Sequence, residues 1–141
     1  MELVVREYRQ EDFERTLNLD DRPSKRRAAR LKMVGHGFFY CYVAEWGRDI
    51  LGFVIMENLG EAYAKNHYMV QINVAEKRRG FGRSLVKKVF EEIGSGGHIS
   101  LCVNTDNHVA INFYEALGFV RSGFTEGYRK DQNKYWYQID L

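Results

Sequence analysis

Between residues 72 and 93 the chain reads INVAEKRRGFGRSLVKKVFEEI, and this stretch constrains the fold more than any other. An apolar strand closes near Ile72 or Val74. A charged turn follows, then Gly80-Phe81-Gly82, then a helix. Phe81, Leu85, Val86, Val89, Phe90 and Ile93 recur at helical spacing, and Lys87, Lys88, Glu91 and Glu92 fill the other face. The chemistry is in the turn. Its glycines place no side chain in the way of a molecule approaching the backbone. The first N–H groups of the helix lack intrahelical partners, and the helix dipole favours anions at that end. Arg78, Arg79 and Arg83 add cationic heads whose fork geometry suits phosphate. Such a turn can hold a pyrophosphate.

Two familiar phosphate loops do not fit. A Walker A loop needs Lys-Ser or Lys-Thr after its second glycine, and none follows here. A dinucleotide fingerprint needs a third glycine where this chain has Arg83-Ser84-Leu85. A glycine-rich turn that merely starts a surface helix is the plain alternative.

The rest of the chain supplies the setting. At 141 residues it is read as one domain, residues 1–141, with enough length for a proper core. Net charge is only +2, which gives no global affinity for nucleic acid. Cys41 and Cys102 stand far apart with no C-x-x-C, so neither a disulfide framework nor a zinc or other metal site is expected. The first residues, MELVVR, lack the apolar core of a signal peptide, and no apolar run approaches the roughly 18 residues that span a bilayer. A cytoplasmic protein with no membrane partner is the expectation.

Residues 3–8 alternate as a first strand. Gln10-Glu11-Asp12 opens a short helix carrying Phe13 and Leu17. Pro23 suits the first turn of a second helix over 23–34. Arg22, Lys25, Arg26, Arg27, Arg30 and Lys32 make that helix very basic, either as a solvated face or as a patch for anions. Nucleic acid fits poorly, because no aromatic residue interleaves with those cations for base stacking. Strands are expected over 37–46 and 50–57 as a hairpin, and from about Gly60 to Val74. Gly94 to Gly97 breaks the central helix, and 99–103 is a short buried strand. Asp106 or Asn107 caps a helix carrying Ala110, Ile111, Phe113, Tyr114 and Leu117, which Gly118 stops. Final strands cover about 119–125 and 134–141.

The turn Lys77-Arg78-Arg79-Gly80-Phe81-Gly82 resembles the coenzyme A loop of the GNAT superfamily of N-acetyltransferases, [Q/R]-x-x-G-x-[G/A], with Lys77 where Gln or Arg is usual. Asn107-x-x-Ala110-x-x-Phe113-Tyr114-x-x-x-Gly118-Phe119 is similar to a second segment of that family. Ile50-Leu51-Gly52-Phe53 is a third, weaker likeness. The order β-α-α-β-β-β-α-β-α-β-β matches along the whole length. The resemblance implies an α/β fold: a mixed, mostly antiparallel twisted sheet, helices on both faces, and a splayed central strand pair. It implies acetyl-CoA as co-substrate and transfer of its acetyl group to a primary amine. A coenzyme A-binding regulatory module without catalysis is the alternative.

By the same resemblance, main-chain groups of Val70, Gln71 and Ile72 meet the pantetheine arm and acetyl carbonyl. Arg78, Arg79, Gly80, Phe81, Gly82, Arg83 and Ser84 take the pyrophosphate, and Asn107 reaches the pantetheine or phosphate region. Tyr114 matches the general acid, and its phenol, ordinarily near pKa 10, can donate to sulfur at neutral pH. One alanine-acetylating subgroup carries a glutamate base where this chain has Cys102. Substitutes are His67, Tyr68 and Asn73 on the long strand, Glu57 beside it, or water. The first helices shape the acceptor site in this family, so the basic second helix implies an acceptor with negative charge near its amine. Its identity stays open among a protein N-terminus, a lysine, a small amine and an antibiotic. Related enzymes often dimerise through their last strands, so a homodimer is among the states allowed.

Overall fold

The computed structural model of the chain describes residues 2–60, 65–75, 80–129 and 131–141. Strand β1 (Leu3–Glu7) leads through a 3-10 turn (Gln10–Asp12) into helix α1 (Phe13–Leu17) and then α2 (Lys25–Met33). Strands β2 (Phe39–Trp46), β3 (Asp49–Asn58) and β4 (Asn66–Val74) follow. Helix α3 (Phe81–Ile93), strand β5 (His98–Asn104) and helix α4 (His108–Ala116) come next, and β6 (Val120–Arg129) and β7 (Gln132–Asp140) close the chain. The strands form one sheet in the order β1-β2-β3-β4-β5-β7-β6. Every neighbouring pair is antiparallel except β4 and β5. This is the mixed, mostly antiparallel sheet expected from the sequence.

Alternation along the strands sends side chains to two cores. Tyr42, Ala44, Val54, Met56, Ile99, Leu101 and Val103 meet Leu85, Val86 and Val89 of α3 and Ile111 and Tyr114 of α4. Cys41, Val43, Phe53 and Ile55 meet Leu31 of α2 on the other face, with Phe13 and Leu17 of α1 beside them. The helices therefore cover both faces. A Cβ on Gly52 of β3 would stand 3.0 Å from Val74 Cγ1 and 3.1 Å from Leu85 Cδ1. Its absence lets α3 settle onto the sheet, which explains a glycine within Ile50-Leu51-Gly52-Phe53.

Helix α2 starts later than Pro23 predicts. Ser24 is the cap, its Oγ accepting from the Arg27 amide at 3.0 Å, and Pro23 stands just outside. The basic side chains of α2 also divide. Arg27 is buried, donates to the carbonyls of Leu17 (3.1 Å) and Leu19 (2.9 Å), and lies over the Phe53 ring. It fastens the chain between α1 and α2. Lys32 Nζ lies 6.0 Å from the centroid of the Phe13 ring. Only part of the basic run is thus available to a ligand.

A buried ionic corner ties β1, α1 and β2 together. Asp12 is fully buried and accepts from Arg6 at 2.8 and 2.9 Å, from Arg15 at 2.9 Å and from the Arg9 amide at 2.7 Å. Arg6 also donates to Glu45 on β2. The Arg6 guanidinium, helped by the Arg9 amide and Arg15, outweighs burial and holds the Asp12 carboxyl down at about 2.

Candidate active site

The parallel pair β4–β5 is the discontinuity of the sheet. Its ladder holds only at Asn66↔His98, His67↔Ile99 and Tyr68↔Ser100, although β4 runs on to Val74 and β5 to Asn104. Beyond Tyr68 the edge of β4 that faces β5 has no ladder partner. A bulge on β4 accompanies the divergence: Ile55 opposes Gln71 and Met56 opposes Met69, so Val70 is the extra residue. Bulges bend a strand and re-aim its side chains. Val70, Gln71 and Ile72 therefore lie on the diverging part of β4. Val70 and Ile72 pack toward opposite cores, so it is their backbone that borders the gap.

The N-terminus of α3 closes the wide end of this gap. Gly80 caps the helix at φ 79° with no side-chain hydrogen bond, and among the described residues a Cβ there would meet nothing within 4 Å. A left-handed residue facing open space is a position for glycine. Gly82 has a different cause. A Cβ there would lie 3.1 Å from Phe113 Cζ and 3.7 Å from Val74 Cγ1. The helix start is therefore wedged between the end of β4 and the helix that follows β5. Phe81 turns its side chain inward, against Trp46. Arg83 is exposed, and the Ser84 hydroxyl donates back to the Gly80 carbonyl at 3.0 Å. Arg78 and Arg79 lie outside the described residues.

From the β5 side, Asn107 caps α4, its Oδ1 accepting from the Ala110 amide at 3.2 Å. Its exposed side chain keeps the amide NH2 for another partner. Tyr114 stands two turns on. It is 8% exposed, and its ring contacts Phe113 (centroids 5.5 Å apart) and Phe119 (5.8 Å). Among the described residues its hydroxyl makes no hydrogen bond. Burial, with a smaller contribution from Cys102, pushes its pKa up to about 12.

The α2 face of the gap holds a second group. Ile99, Leu101 and Val103 point to the α3/α4 core, so Cys102 points the opposite way. Its thiol and the Tyr68 hydroxyl are hydrogen-bonded at 3.2 Å across the parting strands. Burial and this bond push the Tyr68 phenol well above its usual range. The Trp136 ring lies beside Tyr68, centroids 6.4 Å apart. From α2, Arg30 donates to Gln71 Oε1 at 2.8 Å, and Gln71 Nε2 donates to Asn73 Oδ1 at 2.8 Å. Burial, then the like charges of Arg26 and Arg129, lower the Arg30 pKa. Among the described residues no carboxylate pairs with Arg26, Arg30 or Arg129.

The base candidates separate. Tyr68 and Asn73 share this face, and Glu57 lies opposite Tyr68 in the β3–β4 ladder. His67 is on the other face, hydrogen-bonded through Nδ1 to the Tyr40 hydroxyl at 2.6 Å, and burial lowers its pKa. The link from Arg30 to Gln71 and the neighbouring Trp136 were not found from sequence. Nothing in a helical charge run marks the arginine that hydrogen-bonds to a strand side chain. Among the described residues no cluster of His, Cys, Asp or Glu could hold a metal ion, and no helix is long and apolar enough to cross a membrane.

A sheet that splits between β4 and β5, with a helix N-terminus at the wide end, is the arrangement that the resemblance to acetyl-CoA-dependent N-acetyltransferases implies. The sequence pattern of the Acetyltransferase (GNAT) family matches residues 2–119, and the chain belongs to that family. It is similar to the N-alpha-acetyltransferase RimI of Mycobacterium tuberculosis, 29% identical over 87 residues, which are 60% of this chain and 54% of that protein. The chain spans about half or less of the length of the curated relatives it matches. Among solved structures, the ribosomal-protein-S18-alanine N-acetyltransferase of Escherichia coli superposes with a TM-score of 0.82 at 16% identity, over 98% of this chain and 93% of that one. A streptothricin acetyltransferase homologue from Bacillus anthracis, solved with acetyl coenzyme A, gives 0.81 at 18%, over 100% and 99%.

Proposed function

We propose that the protein transfers the acetyl group of acetyl-CoA to a primary amine on an acceptor that carries negative charge near that amine. The observation that carries this reading is the parting of β4 from β5 after Tyr68, with the start of α3 and its Gly80 cap beside the open end. The unpaired β4 edge at Val70, Gln71 and Ile72 would hold the pantetheine arm. The N-terminal turn of α3, from Gly80 to Ser84, would take the pyrophosphate together with Arg78 and Arg79. Asn107 would donate its amide from the far side. Bound acetyl-CoA supplies an activated thioester; the chain must hold it, admit a neutral amine and move protons. Tyr114 keeps its proton at neutral pH and would give it to the departing sulfur. An acceptor screen with acetyl-CoA, reading release of free thiol, tests the activity directly.

Coenzyme binding has its own test. Coenzyme A at a hundredfold excess over its dissociation constant stabilises the fold by about 2.7 kcal/mol. Gly82→Trp abolishes this gain, because the indole would occupy the space of Phe113 and the helix start. A melting temperature of the parent protein that ignores coenzyme A would rule the assignment out.

The negative charge on the acceptor rests on Arg30, which reaches Gln71 on the Tyr68 side of the gap, and on Arg26, whose like charge acts on it; neither has a carboxylate partner among the described residues. Charge reversal at both raises KM for the acceptor on the order of tenfold and spares KM for acetyl-CoA. Rapid turnover of spermine or spermidine by the parent protein would contradict this charge assignment. Cys41 and Cys102 are both free thiols, in keeping with a cytoplasmic location, and a homodimer is compatible with the same function.

A further inference from the structure

We propose that Cys102 is a site of covalent modification, at which its thiol exchanges with a coenzyme A disulfide and leaves the coenzyme joined to the chain inside the split of the sheet. The inference rests on the coenzyme binding proposed above. The chain carries its own comparison in its two cysteines. Cys41 is 4% exposed among apolar side chains, and burial pushes its pKa far up. Such a thiol is inert. Cys102 is half-buried, at the border of the gap between β4 and β5. The Tyr68 hydroxyl lies 3.2 Å from its sulfur, and Arg30, without a carboxylate partner among the described residues, is within electrostatic reach. A partly exposed thiol at the border of the gap is open to disulfide exchange, as the sealed Cys41 is not.

A second observation comes from the opposite layer. Tyr114 is more than nine-tenths buried, and its hydroxyl has no hydrogen-bond partner among the described residues. Cys102 is the titratable group that acts on it. The hydroxyl oxygen is not among the fully buried unpaired atoms, so it keeps accessible surface through which a ligand can meet it. Cys102 lies on the α2 face of β5, beside the gap, and Tyr114 on the helix that packs against the opposite face. A coenzyme whose reactive atom is sulfur would deliver that sulfur between a hydroxyl donor and a thiol.

The exchange balances without an outside oxidant. The Cys102 thiolate attacks one sulfur of the disulfide, the S–S bond between the two coenzymes breaks, and a new S–S bond forms to Cys102. Cys102 sulfur is oxidised to the disulfide level, and one coenzyme leaves as thiolate and takes up the proton that Cys102 lost. The modified chain cannot admit acetyl-CoA until a thiol reductant frees it.

The test uses the intact, reduced protein with coenzyme A disulfide, read by intact mass and peptide mapping. One adduct is expected, of one coenzyme A less two hydrogens, located on Cys102, removed by dithiothreitol and slowed by added acetyl-CoA. Binding in the gap raises the effective concentration, so the adduct forms about tenfold or more faster than with glutathione disulfide. Cys102→Ser loses it, and mapping of the parent protein decides the site if that variant does not fold. Absence of the adduct, or an equal rate with glutathione disulfide, would overturn the proposal. If coenzyme A still raises the melting temperature in that case, the binding assignment stands and only the modification fails. If it does not, both fall.

Discussion

Tyr114→Phe lowers kcat on the order of a hundredfold while stability and affinity for acetyl-CoA stay close to those of the parent protein. The ring contacts with Phe113 and Phe119 survive the change, and no hydrogen bond among the described residues is lost. What disappears is one proton, needed when the thiolate departs. General acid catalysis contributes roughly 10²–10⁴-fold. The lower end applies, because a thiol of pKa about 8.5 leaves more readily than an alkoxide. With the phenol pushed up to about 12, the acid form persists across any practical assay range. The parent rate therefore climbs with pH as the amine loses its proton, and Tyr114 imposes no fall until well above pH 10. Single-turnover kinetics locate the effect in the chemical step. An unchanged kcat with chemistry rate-limiting would make Tyr114 a packing residue and leave the proton to water.

Asp12→Ala destabilises the fold by about 3 kcal/mol, as expected when one partner of a buried ionic group is removed. Arg6 and Arg15 then lose the buried carboxylate that both contact and share only Glu45, and the Arg9 amide loses its acceptor. The same corner sets an acid limit. The folded carboxyl sits at about 2 against an ordinary 3.8, so its contribution is fully present above pH 4. It is lost as pH falls from about 4 to 2, amounting to about 2 kcal/mol. Denaturant melts at pH 6 and through that acid window check both parts. A parent profile as flat as that of Asp12→Ala between pH 4 and 2 would remove this corner as the cause.

The two glycines of the turn were both visible in the sequence, but their reasons were not. Gly80 needs its left-handed backbone, as a turn glycine should. Gly82 is held small by Phe113, which follows it by thirty-one positions in the chain. Helical periodicity exposed α3 and α4 because each hides one face. The basic run of α2 carried no such sorting: Arg27 became a buried clamp while Arg30 reached β4. Asp12 was read only as part of a helix opening, since its partners arrive from β1 and α1 and meet only in space. Cys102 stood out because a glutamate is usual there in a related subgroup. Its bond to Tyr68 follows from the parallel register at Tyr68↔Ser100, which no local pattern encodes. The placement of β7 between β5 and β6 is likewise a long-range choice.

The parting of β4 from β5 also gives the sheet two inner edges. An unpaired edge elsewhere is an opening to aggregation, and proteins blunt it with short lengths, bulges or cover. Here the exposed stretch of β4 is only a few residues long, carries the Val70 bulge, and lies between helices α1 and α2 on one side and α3 and α4 on the other. The notch that admits a ligand is recessed enough to refuse another strand. Loosening of either helical layer would uncover it, and the coenzyme proposed to seat there would then shield an unpaired strand edge as well as take part in chemistry.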